Sequence, residues 1–428
     1  TPLLFAAREG CMMCARTLVE GGANVNLTDP KGVTPLFLAI DNLHFDLAKY
    51  LIEKGANPNK WDWWGRTPLY SAVDVNTLPH GGRPDRPSTD ATSGLEVIER
   101  LLKAGAWPNV QLKLLQPFRH IGDDRGCDLM LTTGMTPLLR AAKTFDTGAI
   151  KLLLEHGADV NQTSEFRWTP LLTATQNRYY QLGKFLLDHG ADPNIANKGG
   201  WNPLYIATDN RNIEGGDYPT RKPDVDHLDF IKLLLGRGAN VNARMASSTE
   251  TRTVFTHQWL YEEGATPLLR AAQSGDLPLM KLLLEHKADP NINTDTGVTP
   301  LMVASGIGWV EGVTYEWSPA QTLEVVKLLI ELGNDVNARD TTEGRTALMG
   351  AAHKGRTDVI TTLVERGAKL DTHDVGSRDT IYKLAGVTWQ AIDYADGLVR
   401  VGVQSAIAHP EAAALLREYM TKAGLKVP

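Results

Sequence analysis

The sequence predicts an all-α solenoid of about ten helix pairs, because it repeats itself at a fixed period along its whole length. A Thr-Pro-Leu segment or its near equivalent starts at positions 1, 34, 67, 136, 169, 202, 266, 299 and 346, with a degenerate copy at 390, and five of these nine intervals are 33 residues. A Gly-Ala-Asp-Val-Asn variant starts 21 residues after the threonine wherever nothing is inserted. Periods of this length are typical of stacked supersecondary units.

Within each repeat, the residues predict a helix, a turn, a second helix and a loop. Thr34 and Thr136 stand where a hydroxyl can cap a helix, and the proline after each suits the first helical position. The segment "AIKLLLEHG" at 149–157 has apolar residues at helical spacing and ends on a glycine, as a second helix would.

These residues resemble an ankyrin repeat, which is clearest in "TPLLRAAQSGDLPLMKLLLEHKADPN" at 266–291. The resemblance covers nearly the whole chain. It implies an ankyrin-repeat α-solenoid with β-hairpin or loop fingers along one edge and a concave groove beside the first helices. Among the departures from the family pattern, two bear on local structure. Arg167 replaces a finger glycine and predicts a distorted finger, and Gln390 is a poor helix cap.

Long insertions interrupt some repeats and divide the solenoid into blocks. The Thr-to-Gly distance of 21 grows to 38 in repeat 3, 36 in repeat 6 and 34 in repeats 8 and 10. In the finger, the distance from the landmark glycine to the next threonine is normally 12 residues, and it grows to 31, 28 and 23 after repeats 3, 6 and 9. We therefore expect one solenoid over 1–428, with blocks at 1–135, 136–265 and 266–389 and a capping repeat at 390–428. "TPLLRAA", at 136–142 and 266–272, marks the start of the second and third blocks.

The insertions are rich in aromatic residues, whereas disordered segments are poor in them. We expect ordered loops that cover both rims of the groove, with packing onto neighbouring repeats as the alternative. The aromatic and histidine residues concerned are Phe118, His120, Phe255, His257, Trp259, Tyr261, Trp309, Tyr315 and Trp317.

Composition narrows the classes of partner. The formal net charge is −6 and no concentrated Lys/Arg patch is visible, which argues against nucleic acid. No apolar run approaches the ~18–20 residues of a transmembrane helix. With its long insertions the chain most resembles bacterial ankyrin proteins. It starts at Thr1 rather than methionine, which fits export, so we expect a periplasmic or extracellular protein, with the cytoplasm as the alternative.

Candidate partner-binding residues are those that the resemblance places at finger tips, on first helices or in inserted loops. Tryptophan and arginine often anchor interfaces, because a rigid group buries much area at small entropic cost. "NKWDWWGRTP" at 59–68 is the strongest candidate segment, and Trp107 is expected to be structural. The candidates are Trp63, Trp64, Arg66, Asp74, Phe166, Trp168, Trp201, Asp209, Trp259, Tyr261, Trp309 and Trp317.

No catalytic, cofactor or metal site is predicted. The sequence contains no P-loop, GxGxxG, GxSxG or HExxH segment. "CMMC" at 11–14 lacks a second ligand pair, and repeat alignment predicts a buried, structural Cys14. "RHIGDDRGCD" at 119–128 gathers possible ligands but matches no known metal-site spacing.

The sequence therefore predicts a non-enzymatic scaffold that binds a protein or peptide through its groove. The expected ligand site is the part of the groove between the insertions of repeats 3 and 6. One alternative is a structural protein that assembles head to tail into an oligomer or filament. Another is a binder of a small ligand, a sugar or a peptide, in a groove covered by loops.

Overall fold

The computed structural model describes residues 1–77, 88–114, 133–212, 221–247, 259–376, 387–401 and 406–428. The chain forms two compact units, Thr1–Asn197 and Lys198–Pro428. Their boundary falls inside the predicted second block, so the compact units and the sequence blocks are different divisions. The block boundaries describe sequence repetition and stay a prediction.

The first unit contains five helix pairs, one pair for each of repeats 1–5. Its helices are α1 Pro2–Glu9, α2 Met12–Glu20, α3 Pro35–Asp41, α4 Phe45–Glu53, α5 Pro68–Thr77, α6 Gly94–Lys103, α7 Pro137–Thr144, α8 Thr147–Glu155, α9 Pro170–Gln176 and α10 Tyr180–Asp188.

The second unit contains the helix pairs of repeats 6–10. Its helices are α11 Pro203–Arg211, α12 His227–Gly236, α13 Pro267–Gln273, α14 Leu277–Glu285, α15 Pro300–Ser305, α16 Pro319–Glu331, α17 Ala347–His353, α18 Thr357–Glu365, α19 Ala391–Ala395 and α20 Pro410–Lys422. The prediction of an all-α fold with about ten helix pairs is confirmed for the described residues.

The helix caps form as the sequence predicts. The Thr34 hydroxyl accepts the Phe37 N–H at 3.1 Å, and Thr136 caps α7 in the same way. Asn202 replaces threonine and accepts the Tyr205 N–H at 2.8 Å. Gln390 makes no such side-chain cap, and its N–H donates to the Asp393 carboxylate instead.

Small and apolar side chains on the first helices let neighbouring repeats pack closely. In α3, Phe37, Ala39 and Ile40 are fully buried, and α3 contacts α1, α4 and α5. A buried apolar face on most second helices completes the core, as Ile150 and Leu153 do in α8, whereas α2 buries only Ala15. Stacking of neighbours is what buries these faces, since a single repeat cannot cover them alone.

The asparagine that ends the Gly-Ala-Asp-Val-Asn landmark ties each repeat to the next. Asn59 donates its amide to the Gly105 carbonyl at 2.8 Å and accepts the Trp107 N–H at 2.8 Å. Asn26 and Asn161 make the equivalent pairs of bonds. This ladder explains why the landmark recurs.

The fingers are tight hydrogen-bonded turns, and among the described residues none is assigned as a β-strand. In the finger at 57–66, the Asp62 N–H donates to the Arg66 carbonyl at 3.0 Å. The finger at 159–168 has the equivalent bond, from Ser164 to Trp168 at 2.9 Å. The predicted distortion there is wrong, because Arg167 adopts the left-handed conformation (φ 61°) that glycine would take.

The insertion in repeat 8, at 306–318, packs onto repeat 9. Glu316 contacts Lys354 at 3.0 Å and Arg356 at 2.8 Å, and it accepts the Thr322 hydroxyl at 2.6 Å. Burial opposes ionisation of Glu316, but these partners outweigh it and hold the pKa of the carboxyl below its usual value. This insertion therefore packs on a neighbouring repeat, which was the alternative to a loop that covers the rim of the groove.

Candidate partner-binding surface

The finger between α4 and α5 presents the most exposed of the predicted binding residues. Trp63 and Trp64 occupy the two central positions of its turn, and Trp63 is 68% exposed. The Trp63 N–H donates to the Lys31 carbonyl of the preceding finger at 2.8 Å. The Asp62 carboxylate accepts the Trp64 N–H at 3.1 Å. The backbone that carries both indoles is therefore fixed.

Cations lie beside the partly buried Trp64. The Lys31 ammonium is 5.8 Å and the Arg66 guanidinium 5.6 Å from its ring centroid, so both lie within cation–π distance. The guanidinium also binds Asp62 at 2.7 Å and Asp41 at 3.2 Å. Burial raises the pKa of Asp41, although Arg66 opposes the shift. Arg66 was expected to contact a partner, but its side chain is 8% exposed and is used to hold the finger.

The arginine of the repeated heptapeptide forms a buried ion pair in each unit. In the first unit, Arg140 of α7 pairs with Asp74 of α5. In the second, Arg270 of α13 pairs with Asp209 of α11 at 2.8 Å. Asp74 and Asp209 were expected to face the groove. Both are instead at most 10% exposed and neutralised by arginine, which removes them from the candidate surface.

Three of the predicted tryptophans belong to the core. Trp168 and Trp201 are each 1% exposed. Each stands directly before the cap residue of a first helix, at the end of a finger. Trp201 also packs edge-on against Tyr205 at 4.7 Å, with its indole N–H donating to Ser247. Trp259 is 7% exposed, and its indole N–H donates to the Trp309 carbonyl. Packing, rather than partner contact, accounts for these rings.

The remaining candidates keep part of their surface open. In the second unit, Tyr261 is 53% exposed, and Trp309 and Trp317 are partly buried. The Trp317 indole lies 4.3 Å from the Arg211 guanidinium and donates to Asn212 at 2.9 Å. In the first unit, Phe166 is partly buried. Phe118, His120, Phe255 and His257 lie outside the described residues.

Sequence reasoning missed a cavity of about 540 Å³ among the loops that follow the second helices of the first unit. Trp61, 50% exposed, and Trp107, 57% exposed, both line it. The Lys113 ammonium lies 4.7 Å from the Trp61 ring centroid. Trp107 was expected to be structural, but its ring remains open to solvent. The overlooked signal is that Trp107 replaces the Asn or Asp of other repeats.

Cys11 and Cys14 form a disulfide, and Cys14 is exposed rather than buried. Counted from the helix cap, it is Ala15, not Cys14, that matches the buried Ile150 and Met280, and Ala15 is buried. Within the described ranges no group of His, Cys, Asp or Glu could hold a metal ion. The possible ligands at 119–128 lie outside those ranges. No described helix is both long enough and apolar enough to cross a membrane.

Stacked helix pairs, tight fingers and an asparagine ladder between repeats define a solenoid of the ankyrin type. The family profile "Ankyrin repeats (3 copies)" matches residues 1–79, 91–197, 138–245, 224–315 and 319–374, and a single "Ankyrin repeat" profile matches 296–341. The chain belongs to the ankyrin repeat family. Proteins of this family generally mediate protein–protein interactions.

Individual relatives match short stretches of the chain. Ankyrin repeat and KH domain-containing protein 1 of Homo sapiens is 34% identical over 110 residues, which is 26% of this chain and 4% of that protein. Ankyrin repeat domain-containing protein 63 of Mus musculus is 35% identical over 104 residues, 24% of each. The putative ankyrin repeat protein FPV219 of fowlpox virus is 32% identical over 120 residues, 24% of this chain and 27% of that protein. The chain thus covers only a small part of these relatives. They are animal or viral, so the bacterial character stays a prediction.

Proposed function

We propose that this protein is a non-enzymatic scaffold that binds a protein or peptide partner, and that the finger tips of its first unit are the principal contact. The observation that carries the proposal is the indole of Trp63, 68% exposed on a turn whose backbone is hydrogen-bonded to the finger before it. A large aromatic side chain with few rotatable bonds, on a backbone that is already fixed, loses little entropy on binding. Trp64, beside it, adds a second aromatic surface.

The second unit offers a smaller contact of its own. Tyr261 is 53% exposed in the finger that precedes α13. Trp309 and Trp317 expose part of their rings in the repeat 8 insertion. Tyrosine and tryptophan are enriched at interfaces because they combine an apolar body with a polar tip. We assign these residues a supporting role.

The test is the affinity of a purified partner, first captured by the full chain, for the native protein and for Trp63→Ala. Truncating an anchoring tryptophan costs about 2 kcal/mol or more, so we expect the Kd to rise about 30-fold. Because most of the Trp63 side chain is exposed to solvent, its removal should leave the fold of the variant intact.

Trp61→Thr is the matched control, because it removes a half-exposed indole two residues away and inserts the residue that repeat 1 has at the same position, Thr28. It should leave the Kd within about twofold, which is the effect expected of a peripheral contact. An unchanged Kd for Trp63→Ala in a folded protein would reject the finger-tip proposal.

Self-association is the second candidate, favoured by two exposed apolar side chains in repeat 1. Phe5 of α1 is 61% exposed and Met13 of α2 is 79% exposed. Light scattering on a size-exclusion column, over a range of concentrations, separates the candidates. A constant mass of 46.9 kDa supports the scaffold, whereas a larger mass that falls on dilution and in Phe5→Ser supports assembly.

A further inference from the structure

We infer that the cavity lined by Trp61 and Trp107, hereafter the Trp61–Trp107 cavity, binds one sugar ring of an oligosaccharide. The cavity lies among loops that follow α2, α4 and α6, and Trp63 does not line it. Its other lining side chains are those of Thr28, Asn57, Asn59 and Lys60. This inference is independent of the proposed protein partner.

Trp107 breaks a local rule that most of the other repeats keep, and Lys369 of repeat 9 also departs from it. In seven other repeats the equivalent residue is Asn or Asp, and its side chain accepts the backbone N–H two residues later at 2.8–3.0 Å. Trp107 cannot make this bond, and its ring is 57% exposed, so little packing replaces what is lost. A broken local rule without structural compensation is typical of a functional position.

The backbone that carries Trp107 and the ring of Trp61 are held in place before any ligand arrives. The backbone N–H of Trp107 donates to the Asn59 side chain, and the Lys113 ammonium lies 4.7 Å from the Trp61 ring centroid. Preorganised aromatic surfaces favour binding because less side-chain entropy remains to be lost. The volume of about 540 Å³ lies in the range of small-ligand sites.

The lining chemistry fits a sugar better than other small ligands. A pyranose has an apolar C–H face, which an indole can cover, and a rim of hydroxyls that need hydrogen-bond partners. The Asn57 amide N–H₂, the Thr28 hydroxyl and the Lys60 ammonium have no partner among the described residues, and they supply such groups. No acidic residue lines the cavity, and Lys60 and Lys113 disfavour a cation. The lining contains no arginine, the side chain that binds phosphate through two parallel hydrogen bonds.

The experiment uses the full chain on an array of immobilised neutral and sialylated oligosaccharides, with Trp107→Asn and Trp61→Thr as variants. Both substitutions insert residues that other repeats have at the same positions, so we expect both proteins to fold, and Trp107→Asn to regain the turn bond. We expect a subset of glycans to bind the native chain, and the signal to fall at least tenfold in each variant.

Trp63→Ala is the matched control and should leave the glycan signal unchanged. Absence of glycan binding by the native chain would overturn the inference, as would binding that persists in Trp107→Asn. Peptides from a peptide array that bind at Trp107, in place of glycans, would also overturn it. Because Trp63→Ala and Trp107→Asn alter different surfaces, failure here leaves the protein-partner proposal standing, and the reverse holds as well.

Discussion

Removing the Asp209 carboxylate should weaken the packing of α11 on α13 by about 3–5 kcal/mol, the usual cost of leaving one partner of a buried ion pair uncompensated. The Arg270 side chain is 2% exposed and the Asp209 side chain 8%. Their 2.8 Å contact corresponds to an attraction of about 6 kcal/mol at an effective dielectric constant of about 20, partly offset by desolvation. In Asp209→Ala the guanidinium keeps its bonds to Ser274 and Asn212 but loses its counter-charge.

Hydrogen exchange of peptides from α11 and α13 under native conditions is the suitable assay, because a chain of this length need not unfold in two states. Asp229→Ala is the matched control. Its carboxylate is 65% exposed and 3.6 Å from Lys232, so its loss should change stability by less than about 0.5 kcal/mol. The double variant Asp209→Leu with Arg270→Met should recover most of the loss, since both charges are removed together. Equal effects of Asp209→Ala and Asp229→Ala would refute the reasoning.

Three further predictions concern single residues. The pKa of Glu316 in the folded protein lies below its usual value of 4.5. The ionised carboxylate therefore stabilises the fold above pH 4.5, and this stability is lost as the pH falls through the lowered pKa of the folded state. Glu316→Gln should therefore remove part of the fall in thermal midpoint between about pH 6 and about pH 3, and an unaltered pH profile would contradict this. Trp201→Ala should destabilise the packing around α11 by about 3–5 kcal/mol, measured by hydrogen exchange of peptides from α11, and a loss no larger than that of a surface substitution would contradict its core position. Arg167→Gly should slow exchange in the finger at 159–168 by relieving a left-handed residue, a gain of up to about 1 kcal/mol, and faster exchange would show that no strain was stored there.

The period and the caps made the helices predictable, because each cap depends only on residues three positions apart. Thr34 and Thr136 illustrate this, since the same hydroxyl-to-backbone bond forms at both. The finger at 159–168 could not be predicted as well. Whether arginine tolerates a left-handed conformation depends on the hydrogen bonds around it, such as that from Glu165 to Thr133.

Burial at the candidate site could not be predicted from repeat position alone. Asp209 and Arg270 are 61 residues apart because an insertion of irregular length separates them. A signal was nevertheless present: in the last repeat of the first and of the second block an aspartate stands seven residues after the cap, and an arginine stands four residues after the cap that starts the next block. Trp107 also carried a signal, the missing Asn or Asp. So did Trp168, which stands directly before a cap, as the buried Met135 does, whereas Trp63 lies at the centre of its turn.

Photo-cross-linking of the full chain to its captured partner tests the central claim most directly, with benzoylphenylalanine in place of either Trp63 or Lys184. Lys184 is exposed on α10, a second helix of the same unit, and serves as the matched position. The finger-tip proposal predicts partner adducts from position 63 and none above background from position 184. Adducts from position 184 alone, or equal yields from the two positions, would contradict it.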